Sequence, residues 1–374
     1  MKQFLVAACA AGAVLTGGAQ AQDLPQSVVQ PYLAYQQALD RGDMAAALAA
    51  ARQAYEAGDA ENVPRDTMGL LAENYATVAS EAGQYELARD TWRESARIGD
   101  RERIEPIERA WRWHNAARNA LLAEDTGDAR RCSRVAAQLL YDAGPLAGDD
   151  RAFAAEAYVF AARMSMRVGN ARGMRDPAVA ALDILKATGA QPDITYAYLH
   201  YMAGISQMVW GNNYEAGYHL SMAAYMSADI EAMEDIERAS DALYLLTWSR
   251  NEEAGDRPSE LLDADPIYQA YYADNEEDTD PPGFVDAEPL DREDVEYPDD
   301  ALRRGYEGVV VVGFSVDETG HVVDPRIVTA IPPDYFEDAV MDAISEWTYT
   351  PATQDGVPVR RDDMSVGFSF HLAG

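Results

Sequence analysis

Apolar residues over the first two-thirds of the chain recur at helical spacing, in stretches that break at regular intervals on a glycine. The breaks are Arg41-Gly42-Asp43, Ala82-Gly83-Gln84, Thr126-Gly127-Asp128, Val168-Gly169-Asn170 and Trp210-Gly211-Asn212, so the glycines stand 41, 44, 42 and 42 residues apart. One apolar-periodic stretch precedes each break, as with Leu71, Tyr75, Val78 and Ala79; another follows, as with Tyr85, Ala88, Trp92 and Ala96. That is the pattern of a helix, a tight turn and an antiparallel helix, with glycine supplying positive φ where the first helix stops. A fixed period of this length marks a repeat array. Each hairpin then buries its apolar face only by stacking on the next. The pattern predicts five hairpins over residues 24–228, closed by a helix near 230–250, with Trp111, Trp113 and Trp210 read as inter-repeat core.

Small residues fall where paired helices would touch: Ala47 and Ala54 follow Gly42 by five and twelve positions, and Ala216 and Ala223 follow Gly211 at the same offsets. Ala88 follows Gly83 by five. This spacing resembles the tetratricopeptide repeat, although the period exceeds that family's ~34 residues and Pro177 interrupts the second helix of the fourth unit. The resemblance implies a concave groove that binds protein or peptide.

The texture then changes twice. Residues 251–300 hold nineteen acidic residues against two basic ones, Arg257 and Arg292, with Pro258, Pro266, Pro281, Pro282 and Pro289 interrupting any long helix. Such a stretch reads as a solvated linker, 251–296, in which Leu261, Leu262, Ile267, Tyr268, Tyr271 and Tyr272 could dock a short helix. Its acidic run 274–280 lacks the glycine a calcium loop needs and reads as a solvated face. From residue 297 on, strict alternation appears: in the stretch 308–316, Val310, Val312, Phe314 and Val316 share one face. Asp317-Glu318-Thr319-Gly320 is a hairpin loop, and 322–328 a second strand. After Pro332-Pro333, Asp334 caps a helix with Glu337 three residues on, and that helix buries Phe336, Ala339, Val340, Ala343, Ile344 and Trp347. A last strand covers 364–370. The product is a β-β-α-β unit with a three-stranded antiparallel sheet under one helix, giving an α+β multidomain chain.

Several of these residues form a recognisable set: Tyr297-Pro298; Gly308 leading Val310, Val312, Phe314, Val316, Asp317, Gly320 and Val322; Trp347-Thr348-Tyr349-Thr350-Pro351; Asp355-Gly356-Val357-Pro358-Val359; Phe368-Ser369-Phe370. Their order and spacing over about residues 290–372 resemble the TonB C-terminal domain family. The resemblance implies a periplasmic domain that grips the TonB box, a short extended segment of outer-membrane transporters. A three-stranded sheet leaves edges that accept another chain by β-augmentation. The edge read as the site is Met364, Ser365, Val366, Gly367, Phe368, Ser369 and Phe370, with Tyr297 and Pro298 as the approach. A full transducer of that family has an uncleaved membrane anchor that meets an ExbB/ExbD motor, and a long proline-rich spacer. This sequence departs from both.

Residues 1–21 read instead as a cleavable signal peptide: Lys2, an apolar run from Phe4 to Leu15, and Ala19-Gln20-Ala21 before a mature start at Gln22. The rival reading keeps residues 1–20 as an inner-membrane anchor. With Lys+Arg 30 against Asp+Glu 64, the formal charge of −34 repels phosphate backbones and excludes nucleic acid as a partner. Cleavage leaves one cysteine, Cys132, read as a small buried hydrophobe. His114, His200, His219, His321 and His371 lack metal-ligand spacing, and no nucleophile, phosphate-loop or paired-cysteine motif occurs, so neither an enzyme nor a cofactor is expected. The domain expectation is signal peptide 1–21, helical repeats 22–250, acidic linker 251–296 and TonB-like domain 297–374. The expected partner is an outer-membrane TonB-dependent transporter or another envelope protein, with an ExbB/ExbD-type complex and homodimerisation through the C-terminal domain as further candidates. The alternative is a periplasmic scaffold whose repeats do the binding and whose TonB-like domain only tethers or dimerises.

Overall fold

The computed structural model describes residues 24–189, 193–228, 230–254, 261, 265 and 281–372, the side chains of 248–254 excepted. The expected signal peptide, the run 274–280, and Leu262, Ile267, Tyr268, Tyr271 and Tyr272 lie outside them. The chain divides into two compact units, residues 1–164 and 165–374.

The first unit holds α1 (Gln26–Asp40), α2 (Met44–Ala60), α3 (Arg65–Glu81), α4 (Tyr85–Glu102), α5 (Pro106–Leu122) and α6 (Thr126–Ala143), and α7 (Gly148–Arg167) begins in it. Helices α1/α2, α3/α4 and α5/α6 pair as hairpins. The small residues expected at close contacts are buried, Ala47, Ala54 and Ala88 among them. Cys132 is buried as well, and burial pushes its thiol up to about 12.

The turn chemistry corrects one reading. Gly42 and Gly83 take the left-handed backbone as expected, but at the third turn that residue is Glu124, with φ 61°, while Gly127 lies inside the first turn of α6. The Asp125 carboxylate sets this turn by accepting the Asp128 N–H at 2.8 Å. Asp43 does the same for Ala46 at 3.0 Å. Counted by left-handed residues, 42, 83, 124, 169 and 211, the period is 41, 41, 45 and 42.

The second unit begins with α8 (Arg175–Thr188), α9 (Ile194–Val209), α10 (Asn213–Ser227) and α11 (Glu234–Ala254). Pro177 does not interrupt α8, because it sits in that helix's first turn, where an N–H would have no helical partner. Trp210 is not core: it is 50% exposed, with the guanidinium of Arg172 at 5.0 Å and that of Arg175 at 5.2 Å from its ring centroid.

Then follow β1 (Phe284–Val285), β2 (Glu288–Asp291), α12 (Asp299–Arg304), β3 (Gly308–Val316), β4 (Val322–Ile331), α13 (Glu337–Glu346), β5 (Thr348–Thr350), β6 (Thr353–Gln354), β7 (Val357–Pro358) and β8 (Arg361–Phe370). The main sheet is antiparallel in the order β4-β3-β8. Two short strands lie in the stretch read as linker: β2 pairs with β5, and β1 with β6. Half of the expected cap of α13 forms, the bond from Glu337 back to Asp334. The Glu337 carboxylate accepts the N–H groups of Asp334, Tyr335 and Phe336, while Asp334 itself takes a left-handed backbone with φ 69°.

Both faces of the sheet are covered, which the sequence reading did not anticipate. Val310, Val312, Phe314 and Val316 meet Phe336, Val340 and Ile344 of the α13 segment in one core. On the other face α11 lies over β8 and α9 reaches β4: Tyr201 Oη donates to Thr329 Oγ1 at 3.0 Å, and Arg238 pairs with Asp363 at 2.9 Å. Every residue of β3 is therefore buried. An unbroken valine run is the sequence signature of a strand covered on both sides.

Candidate partner-binding edge

Strand β8 is an edge. Among the described residues it pairs with β3 alone, so its outer N–H and C=O groups meet no other strand. The opposite edge, β4, carries Pro325 and the left-handed Asp324, two features that blunt strand pairing. In β8 the corresponding irregularity is confined to its start, at Asp363 with φ 57°, and the register from Met364 to Phe370 is continuous.

Side chains alternate along this edge. Met364, Val366, Phe368 and Phe370 join the core under α13. Phe370 stacks on Phe336 at 4.3 Å between ring centroids, and Phe368 lies 5.6 Å from Trp347. Ser365, Gly367 and Ser369 stand on the alternate face. Gly367 is the point of closest approach there: a Cβ on it would meet Leu243 Cδ2 at 3.0 Å and the Ala242 carbonyl oxygen at 3.1 Å. The glycine is thus a condition of helix-on-sheet contact, a role sequence reasoning missed. The valine run Val309 to Val312 was the available signal, since its alternate members needed a cover.

The structure brings Tyr297 to the end of the same strand. Its ring packs edge-on against Phe370 at 5.6 Å and Phe336 at 5.8 Å, and its hydroxyl donates to the Tyr306 carbonyl. Burial holds the phenol above its ordinary value, so it remains a donor. Pro298 takes the N-cap position of α12. The remaining motif residues explain one another. Gly320 has φ +89°, and a Cβ there would lie 2.1 Å from the Tyr349 carbonyl oxygen, while Tyr349 N–H donates to Gly320 O at 2.8 Å. Trp347 Nε1 donates to Glu293 O at 3.0 Å, with the Arg292 guanidinium 4.8 Å from the Trp347 ring centroid.

Residues 293–372 match the family model for the Gram-negative bacterial TonB protein C-terminal. The C-terminal segment is TonB-like. Two curated relatives align with it, both called Protein TonB. The one from Vibrio cholerae is 30% identical over 80 residues, covering 21% of this chain and 31% of the relative. The one from Pseudomonas aeruginosa is 30% identical over 83 residues, covering 22% and 24%. The chain thus spans about a third or less of those relatives' lengths. Among solved structures, BtubC from P. vanneervenii aligns over 71% of this chain and 96% of its own at 11% identity with a TM-score of 0.33, too low to carry an argument.

Among the described residues no group of three or more His, Cys, Asp and Glu is placed to hold a metal ion, and no helix is long and apolar enough to cross a membrane.

Proposed function

We propose that this chain works in the periplasm as a non-catalytic TonB-like protein, taking an extended segment of an outer-membrane transporter onto the outer edge of β8. The observation that carries the reading is the edge itself, which is unpaired among the described residues and lies inside the segment matching the TonB family. The names of the two curated relatives support it. A segment pairing with Met364, Ser365, Val366, Gly367, Phe368, Ser369 and Phe370 would gain four or five backbone hydrogen bonds. At about 1 kcal/mol net each, less ordering cost, these predict affinity of roughly micromolar order. The test is NMR titration with a synthetic transporter peptide, expected to shift amides of 364–370 and not those of 322–331. An alternately N-methylated copy, with the same side chains, should lose binding. Shifts elsewhere, or equal binding of the methylated peptide, would refute augmentation.

A second reading is favoured by the packing of the sheet on α9 and α11: a scaffold in which the TonB-like domain is a fixed part of the helical unit and the repeats recruit partners. It predicts that full-length protein with a blocked β8 edge, by proline at Ser365 and Ser369, still captures the partners of the native chain. Coupling to an ExbB/ExbD-type motor belongs to the first reading alone. It requires an anchored N-terminus, which intact-mass measurement of the native chain decides: a start at Gln22 removes it.

A further inference from the structure

Helix α11 runs across the strands of the main sheet rather than along them, and three contacts trace its path. Asp235 pairs with Arg326 of β4 at 3.2 Å. One turn on, Arg238 Cδ stands 3.7 Å from where a Cβ on Gly313 of β3 would lie. One turn further, Leu243 Cδ2 and the Ala242 carbonyl oxygen stand 3.0 and 3.1 Å from a Cβ built on Gly367 of β8. The helix thus passes over the three strands in the order β4, β3, β8. Seven residues lead from Asp235 to Ala242, about 10 Å of helix, which matches two spacings of roughly 4.8 Å between strands.

Among the described residues β8 is the last strand of this sheet, but α11 continues to Ala254. Leu245 and Leu246 follow Ala242 by three and four positions, so they fall on the side of the helix that meets the sheet. At about 1.5 Å per residue they stand one strand spacing beyond β8, over the place a fourth strand would take. Leu245 is 64% exposed there. It is an apolar residue on the sheet-facing row with no described strand beneath it.

We propose that α11 forms one wall of the β8 site and selects the partner by size: an extended segment with glycine, alanine or serine where it passes under Leu245. The proposal rests on the reading of β8 as the binding edge. Both strands that α11 crosses at close range carry glycine at the crossing, Gly313 and Gly367, because the helix leaves no room for a larger side chain. A strand added in the plane of the sheet meets the same wall. Its backbone covers Leu245, and bulk at the crossing holds it off the edge. This selectivity comes from the helical part of the chain, outside the residues 293–372 that match the family model.

Fluorescence anisotropy of the full chain tests it, with a labelled transporter peptide and with copies carrying tryptophan at each position in turn. Leu245→Ser should weaken the parent peptide by about tenfold, the effect of one leucine side chain losing its burial. Leu245 is exposed, so the variant should keep the native urea midpoint. Tryptophan at the crossing position should weaken binding to the native chain, and Leu245→Ala should relieve the loss there more than at any other position. The control Leu122→Ser, on an exposed leucine of α5, should bind like the native chain. Amide shifts of 364–370 are followed alongside. If those shifts persist while Leu245→Ser binds as tightly as the native chain, the wall is overturned and pairing on β8 stands. Tryptophan tolerated at every position overturns the size selection in the same way. Absence of shifts at 364–370 overturns both readings.

Discussion

The two faces of the C-terminal sheet are built in opposite ways. Toward α13 the sheet is filled by volume: Phe314, Phe336, Trp347 and Phe370 interlock with ring separations as short as 4.3 Å. Toward α9 and α11 it is defined by the lack of volume, with Gly313 and Gly367 letting helix side chains and backbone come down onto the strands. A filled face is specified by many residues that can partly compensate for one another. A face built on close approach depends on single positions, where an added methyl group forces a neighbour to give by a few tenths of an ångström. The first face belongs to the TonB-like segment; the second ties that segment to the helices that precede it.

The largest expected effect tests the filled face. Phe336→Ala removes a fully buried ring from the centre of that core and should destabilise the second unit by about 3–5 kcal/mol. Chemical denaturation followed by Trp347 fluorescence reads it. A loss below about 1 kcal/mol would mean that the aromatic stack is not the anchor of this face.

Acid attacks the helices behind the other face. His200 on α9 and His219 on α10 are buried with their Nδ1 atoms 3.0 Å apart, one donating and one accepting. Burial first, with the Lys186 charge, lowers His219 to about 3; burial, His219 and Lys186 hold His200 well below 6.5. The unfolded chain takes up protons near pH 6.5 while the folded pair resists them, so this stability is complete above pH 6.5 and declines as pH falls toward the folded values. At pH 5 each neutral histidine should cost about 2 kcal/mol relative to pH 7. Urea midpoints at the two pH values check it, and His219→Phe, which removes one titrating group, should flatten the dependence.

Gly367→Val probes the close-approach face directly. The added side chain must push Leu243 or the Ala242 carbonyl aside, an overpacking expected to cost about 1–3 kcal/mol. Hydrogen exchange should accelerate in α11 more than in α13, since the change falls on the face that α11 covers. Equal acceleration in both would erase the distinction between the faces.

How much of this was legible in the sequence follows from the same contrast. The hairpin array, the three main strands, the helix after Pro332-Pro333 and its buried row were readable because periodicity is local. Asp317 and Gly320 were readable as a turn for the same reason. The third turn was misplaced because Gly127 carried the expected residue type while an acidic residue, Glu124, held the left-handed backbone and Asp125 supplied the cap. The cover over Val309 and Val311 was out of reach in detail, since it depends on Tyr201, Leu243 and Arg238, more than a hundred residues away in sequence from Thr329, Gly367 and Asp363. Of the residues read as the site, Tyr297 packs on Phe370 at the end of the run 364–370. Pro298 also starts a helix, as a proline before Asp299 and Asp300 readily does.

The smallest effect isolates a single contact across the close-approach face. Tyr201 is fully buried on α9, and its hydroxyl donates to Thr329 Oγ1 of β4 at 3.0 Å. Tyr201→Phe keeps the ring and deletes the donor, leaving the half-buried Thr329 hydroxyl to find another partner, at a cost of about 1 kcal/mol. Thr329→Val removes the other partner with little change in shape. If the bond spans two packed elements, the double variant should be less destabilised than the sum of the single ones. If the helices and the sheet are merely adjacent, the two losses should add. Additivity would leave Gly367 as the stronger evidence that α9, α11 and the TonB-like segment fold as one body, and coupling would show the bond contributing to it as well.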